Sequence, residues 1–395
     1  MPEMGANLIP ERIEAVTAEW LTAALGAESV ESVEFEIIGA GQGFLGIVAR
    51  LTISHEGCRG AAKSTLIAKF PTRVDDNRTM GELMGIYWRE IHFYEELAAR
   101  VPLRTPGHRY SAMTSDPMRF RQYQIVKVLD RMPAFFVDRL TRFAKREMRK
   151  SAHRYVLLIE DLGNARVGDQ VSGGSAEACG QVLDAVAKMH AHFWEGKELA
   201  PLPWLQDQNV NPHMRHRMYL ESRSAFEKQY ALHMSNGAAR MLEWIDAHGV
   251  KLARVLHRDA PETLIHSDLR FDNVFFDHER PDSPVILADW QLVGRGAAAY
   301  DVAYLLSGAL AADEAADVER ALLERYHAAL LAGGVGGYGF ERFLRDYQRS
   351  LPAVFQILAT TESMDLGHER GAELMSLWVE RALARLRSVD LDRLL

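Results

Sequence analysis

Apolar residues change their period along the chain, and the change divides it. Val33, Phe35 and Ile37 alternate with polar neighbours before a glycine cluster, and Ile47, Ala49, Leu51 and Ile53 do so after it. Period two on both sides predicts strand, glycine loop, strand. The run STLIAKF predicts a third strand with Lys69 near its end. Upstream, Ile13, Val16, Trp20, Leu21 and Leu25 recur at helical spacing, and Pro10 suits a helix start, so a leader helix is expected over 10–25. Downstream, Leu83, Tyr87, Glu90, Tyr94 and Leu97 mark one face of a single helix across MGELMGIYWREIHFYEELAAR. Glu90 thus falls inside an apolar stripe, where a carboxylate needs a cation, and Lys69 is the sensible partner.

From Pro102 to Arg154 the pattern is irregular. Gln124 to Leu129 read as a strand, and 131–154 as a basic amphipathic insertion carrying eight Lys or Arg against Asp138 and Glu147. The run YVLLIEDLG then predicts a strand leading into a short polar crossing at Glu160, Asp161 and Leu162, where backbone groups could meet an adenine edge. Beyond it the chain becomes mostly helical. Leu183, Val186, Ala187, His190 and Trp194 share a face on which His190 reads as a satisfied core histidine, 216–256 continue in helices, and the tail ends in an amphipathic helix.

Composition adds limits. The 395 residues allow two cores, 48% hydrophobic content is ordinary for a globular chain, and the net charge of −8 argues against a general nucleic-acid binder. Two cysteines without CxxC spacing indicate neither a disulfide framework nor a zinc knuckle. No basic leader with an apolar core opens the sequence and no apolar run reaches spanning length, so a cytoplasmic protein without stable membrane insertion is expected.

The chemistry concentrates in LIHSDLRFDNVFF, where Asp268 and Asn273 stand five residues apart between apolar runs, and in VILADW, which brings Asp289 sixteen residues after Asn273. A carboxylate, a carboxamide and a second carboxylate held this way suit one hydroxyl and one or two Mg²⁺ ions. Upstream, Gly41, Gly43, Gly46 and Val48 fit GxGxxGxV. A dinucleotide fingerprint opens a helix, whereas this one runs into a strand, which favours a flap over nucleotide phosphates. No GxxxxGK[ST] occurs, which excludes a P-loop as far as sequence can. Two rival motifs are weaker. His257-Arg258-Asp259 has Leu264 where the metal-binding asparagine should stand, and the second GxGxxG, Gly334 to Gly339, lies between helical patterns.

In order and spacing, these segments resemble the aminoglycoside phosphotransferase and choline kinase superfamily, and within it the bacterial relatives of the ecdysteroid-kinase-like group. The resemblance covers roughly residues 30–310 and is carried by HSDLRFDN and by DWQLVGRGAAAYDVAYLL. It implies an α+β, bilobal protein-kinase-like fold: a small antiparallel-sheet lobe with one key helix over 1–160, and a larger, mainly helical lobe over 161–395. It further implies an ATP- and Mg²⁺-dependent transfer of the γ-phosphate to a small-molecule hydroxyl. On that reading Asp268 is the catalytic base or the orienting carboxylate for the substrate hydroxyl, Asn273 and Asp289 hold Mg²⁺, and Lys69 with Glu90 positions the ATP phosphates beneath Gly41, Gly43 and Gly46. Glu160 and Leu162 would meet the nucleobase, and Arg270 would neutralise charge on the transferred group. Asp301 would brace the catalytic loop. Trp290 and Gln291 replace the phenylalanine and glycine usual after the metal aspartate, which makes a kinase-style flip of this segment doubtful. A protein kinase and a non-catalytic nucleotide-binding regulator are the alternatives; the first lacks an APE segment, and the second would be expected to lack one of the five polar residues.

Overall fold

In this computed structural model the described residues are 9–26, 29–38, 45–55, 63–115, 127–130, 153–208, 211–234, 236–280, 282–361 and 369–395, with 132, 136, 139–140, 142–143 and 146. They form two compact units, one drawn from Met1–Arg100, Thr105–Arg119 and Pro133–Gly163, the other from Val101–Arg104, Phe120–Met132 and Asn164–Leu395.

The first unit is built on an antiparallel sheet of β1 (Val30–Ile38), β2 (Gly46–His55), β3 (Ser64–Pro71), β4 (His108–Met113) and β5 (Tyr155–Glu160), in the order β1-β2-β3-β5-β4. Strand alternation sorts the faces. Ala49, Leu51 and Ile53 of β2, Ala68 and Phe70 of β3, and Val156 and Leu158 of β5 enter one core with Ile13 and Leu21. Lys69, between Ala68 and Phe70, therefore projects from the other face. β4 arises inside the stretch whose pattern looked irregular: Tyr110 alone in it is buried, so it carries little alternation for a sequence reading to find.

Two helices depart from expectation. The leader helix α1 runs only Ala18–Leu25, because Val16 and Thr17 are extended and the Thr17 hydroxyl accepts the Trp20 N–H at 3.2 Å as an N-cap; Ile13–Ala15 form a separate 3-10 turn. The expected single helix over 80–100 is broken into α2 (Asp75–Met84) and α3 (Ile86–His92) by Gly85, whose φ of 69° ends one and opens the other. A π-helical stretch, Phe93–Leu97, widens the far end yet keeps Tyr94 and Leu97 buried. The strand expected over 124–129 is also corrected: Lys127–Leu129 are helical, with Val128 63% exposed and no strand partner among the described residues, while 124–126 lie outside them. Of the basic stretch 131–154, most lies outside the described residues.

The second unit contains β6 (Arg166–Val167), α4 (Ala176–His192), α5 (Pro212–Gln229), α6 (Asn236–Asp259), β7 (Glu262–Ile265), β8 (Val274–Phe276), β9 (Val285–Leu287), β10 (Gly294–Ala297), α7 (Ala298–Ala309), α8 (Ala316–Ala332), α9 (Phe340–Thr361) and α10 (Glu369–Arg387). Helix α7 is buried on every side, with α9, α10, α4 and β7 packed around it. Small sheets, β6-β8-β9 and β7-β10, carry the polar loops. The rival HRD closes α6, with Arg258 paired to its neighbour Asp259 at 2.6 Å, and Gly334–Gly339 join α8 to α9. No helix among the described residues is long and apolar enough to cross a membrane. Cys179 is buried, and burial pushes its thiol up to about 12; Cys58 lies outside the described residues.

Candidate active site

In the first unit, Lys69 Nζ lies 2.6 Å from Glu90 Oε1, with side-chain exposures of 17% and 7%. The pair forms because Lys69 leaves the sheet on the face opposite the Ala68–Phe70 core and α3 turns Glu90 inward. One turn earlier, the Tyr87 hydroxyl donates to the Leu45 carbonyl, which also receives the Thr72 N–H at 3.3 Å. Helix α3 is thereby tied to the root of the glycine loop as well as to Lys69. Of the glycines, Gly46 opens β2 opposite Pro71; Gly41 and Gly43 lie outside the described residues. After β5, Arg50 grips Asp161 through Nε at 2.7 Å and Nη2 at 3.3 Å. The Glu160 N–H is donated to the Gly107 carbonyl at 2.8 Å, and its Oε2 accepts the Gly107 N–H at 2.9 Å. The Glu160 donor is thus in use within the unit, and Leu162 is half-buried.

In the second unit, β7 ends at Ile265 and delivers His266-Ser267-Asp268. Ser267 holds φ 67°, a left-handed conformation that costs a non-glycine residue about 1 to 3 kcal/mol unless its surroundings fix it. Asp301 of α7 supplies the constraint: its Oδ2 accepts the His266 N–H at 2.7 Å and its Oδ1 the Ser267 N–H at 2.9 Å. Asp301 is itself fully buried and held by His190 Nε2 at 3.3 Å, whose Nδ1 meets the Tyr326 hydroxyl at 2.8 Å. His190 is therefore a core histidine that supports the loop from behind. His266 accepts the Asp268 N–H at Nδ1 (3.3 Å) and faces the Ala288 carbonyl with Nε2 (3.0 Å), which fixes the proton on Nε2. The Trp290 ring covers it at 4.6 Å, and Trp290 Nε1 is anchored on the Leu287 carbonyl at 3.0 Å.

These restraints leave Asp268 buried with a donor on each carboxylate oxygen. The Tyr304 hydroxyl meets Oδ1 at 2.8 Å, and Asn273 Nδ2 meets Oδ2 at 3.1 Å while also donating to the Asp268 carbonyl at 2.9 Å. With its amide nitrogen so used, Asn273 has its carboxamide oxygen available. Burial first, then the Asp268 charge, pushes the Tyr304 hydroxyl well above its ordinary range, so it remains a donor. Arg270 Nε lies 3.6 Å from Asp268 Oδ2 and its Nη1 3.3 Å from Asp272 Oδ2. Burial opposes its charge, but Asp268 and Asp272 outweigh burial and raise its pKa. The β8–β9 pairing, Val274 against Leu287, and the Ala288 N–H on the Asn273 carbonyl at 3.0 Å bring the start of β8 and the end of β9 side by side. Asp289 follows with φ 64°, its Oδ2 3.4 Å from Gln291 Nε2.

A second layer holds the loop from the opposite side. Gln170 Oε1 accepts the Phe271 N–H at 2.7 Å, and the Gln170 N–H reaches Asp272 Oδ1 at 2.9 Å. Arg381 of α10 fixes this segment by donating to the carbonyls of Gln170, Val171 and Gly308 at 2.7 to 2.8 Å. Sequence reasoning missed Tyr304, Gln170 and Arg381. Tyr304 had a signal: three residues after Asp301, it stands on the same helical side of AAYDVAYLL.

An oriented buried carboxylate, a carboxamide oxygen and a second carboxylate thus stand on adjoining loops of this unit. The chain belongs to the phosphotransferase enzyme family, whose model matches residues 134–344. No curated protein matches it. Among solved structures it is similar to choline kinase LicA from Streptococcus pneumoniae, at 14% identity over 94% of this chain and 97% of that one, TM-score 0.48. It is similar also to APH(2")-IIia in its GDP and kanamycin complex, at 13% over 86% and 88%, TM-score 0.46. A microcompartment-associated aminopropanol kinase gives 12% over 90% of each chain, TM-score 0.42.

Proposed function

We propose that this phosphotransferase moves the γ-phosphate of ATP, with Mg²⁺, to a hydroxyl group of a small molecule. The observation that carries the reading is the state of Asp268: buried, braced through its own loop by Asp301, and oriented by separate donors on its two oxygens. A carboxylate fixed this way can accept a hydroxyl proton while keeping its direction.

The donor set fits Mg²⁺. Asn273 offers a carboxamide oxygen whose partner nitrogen is already committed, and Asp289 a carboxylate, which is the small oxygen set that this ion takes beside water and phosphate. When bound, the ion neutralises phosphate charge. Asp268 orients the acceptor hydroxyl and takes its proton. Lys69, held by Glu90, is assigned to the α- and β-phosphates, and Gly41, Gly43 and Gly46 to their cover. Glu160 and Leu162 are assigned to the nucleobase. Arg270 is assigned to the charge that develops on the transferred group.

ADP release from MgATP across a panel of aminoglycosides, choline-like amines, sugars, macrolides, sterols and acyl alcohols tests the reading. Release above an Asp268→Asn control, abolished by EDTA, is the expected result. No acceptor raising release above that control would replace it with a nucleotide-binding regulator.

A further inference from the structure

The rival HRD motif contributes to a different feature of the second unit. Arg258 and Asp259 close α6, and Arg342, Arg345, Asp346 and Arg349 come from α9; together these six residues line a cavity of about 510 Å³. Four guanidinium groups thus face two carboxylates. The carboxylates are already used. Asp259 is gripped by Arg258 through Nε at 2.6 Å and Nη2 at 3.1 Å, and the buried Asp346 takes the Tyr338 hydroxyl at 2.8 Å. Arg349 is tethered by the Leu394 carbonyl at 2.8 Å and stands 3.5 Å from both carboxylates. Among the described residues Arg342 donates to the Asp259 carbonyl at 2.6 Å, with its guanidinium over the Tyr338 ring at 5.4 Å, and its charge acts on the Asp259 and Asp346 carboxylates. Arg345 is exposed and makes no ion pair among the described residues. Positions 342, 345 and 349 share one face of α9, with Asp346 one turn from both Arg342 and Arg349.

We propose that this cavity is an anion site for a phosphate-bearing ligand with more than one negative charge, separate from the Asp268 loop. Four guanidinium groups against two carboxylates leave an excess of positive charge at this cavity, with Arg345 making no ion pair among the described residues, and planar guanidinium forks match adjacent phosphate oxygens in pairs. Arg349 and Arg258, fixed by their own partners, shape the walls. The proposal does not depend on the phosphotransfer reading, since neither Lys69 nor Asp268 takes part.

The test is calorimetric titration of the full-length protein with inorganic pyrophosphate in EDTA. Saturable binding in the millimolar range or tighter is expected, weakened at least tenfold by Arg345→Glu and in the same direction by Arg342→Gln, with a saturable component that persists in Lys69→Ala. Arg345 has no ion partner to lose, so its variant keeps the fold, which circular dichroism checks. Absence of saturable binding, binding indifferent to both arginine variants, or no saturable component left in Lys69→Ala would overturn the proposal.

Discussion

The Tyr304 hydroxyl donates to Oδ1 of Asp268 at 2.8 Å, inside a fully buried setting and from a helix already tied to the same loop by Asp301. One helix therefore fixes both the backbone and the side chain of the candidate base. Tyr304→Phe keeps the ring on Trp378 and removes only this donor. Turnover is expected to fall roughly tenfold, the loss of one hydrogen bond to a charged group, with KM for MgATP little changed. Steady-state kinetics, with the best acceptor from the panel, check this.

Arg270 sits against Asp268 and Asp272. If its charge acts on the transferred phosphoryl group, Arg270→Ala lowers kcat by about a hundredfold or more while nucleotide affinity, measured by calorimetry, changes far less. An unchanged kcat would remove Arg270 from the reaction.

The buried Lys69–Glu90 pair should reveal itself in stability. Glu90→Ala leaves the ammonium with its counterion gone, at a cost of about 3 kcal/mol, whereas Lys69→Met with Glu90→Leu should recover most of that loss. Denaturant titration of the single and double variants measures the coupling. Nucleotide affinity falls in all of them.

Asp301→Asn replaces one of two acceptor oxygens by an NH₂ group, which cannot receive a backbone N–H. Either His266 or Ser267 is then left unsatisfied, costing about 1 to 3 kcal/mol, and the left-handed Ser267 loses its restraint. Amide exchange over 262–273 should accelerate and turnover should drop with it.

Gly85→Ala places a methyl group at φ 69°, 2.6 Å from the Trp88 ring. The backbone conformation alone costs about 1 kcal/mol or more. Because α3 begins there and carries both Tyr87 and Glu90, the expected outcome is a lower melting temperature together with a raised KM for nucleotide.

The strands around the glycine loop, Lys69 and Glu90 were legible because periodicity and an awkward buried charge are local signals. The same signals could not show that Gly85 divides the helix, since Leu83 before it and Tyr87 after it keep the helical spacing. The edge strand β4 escaped for a related reason, having one buried residue. In the second unit the spacing of Asp268, Asn273 and Asp289 could be read from sequence, and the β8–β9 hairpin accounts for it. What escaped was the support. Gln170 and Arg381 lie far from the loop in sequence and act through backbone carbonyls and N–H groups, which leave no residue pattern at all.

Arg381 places a condition on when the protein can work. Its guanidinium is the clasp on the Gln170 segment that positions Phe271 and Asp272, yet it belongs to the last long helix. As the chain emerges from the ribosome, Asp268 and Asn273 appear long before the clasp does. A chain cut before α10 would therefore keep every residue of the loop and lose the clasp that positions it.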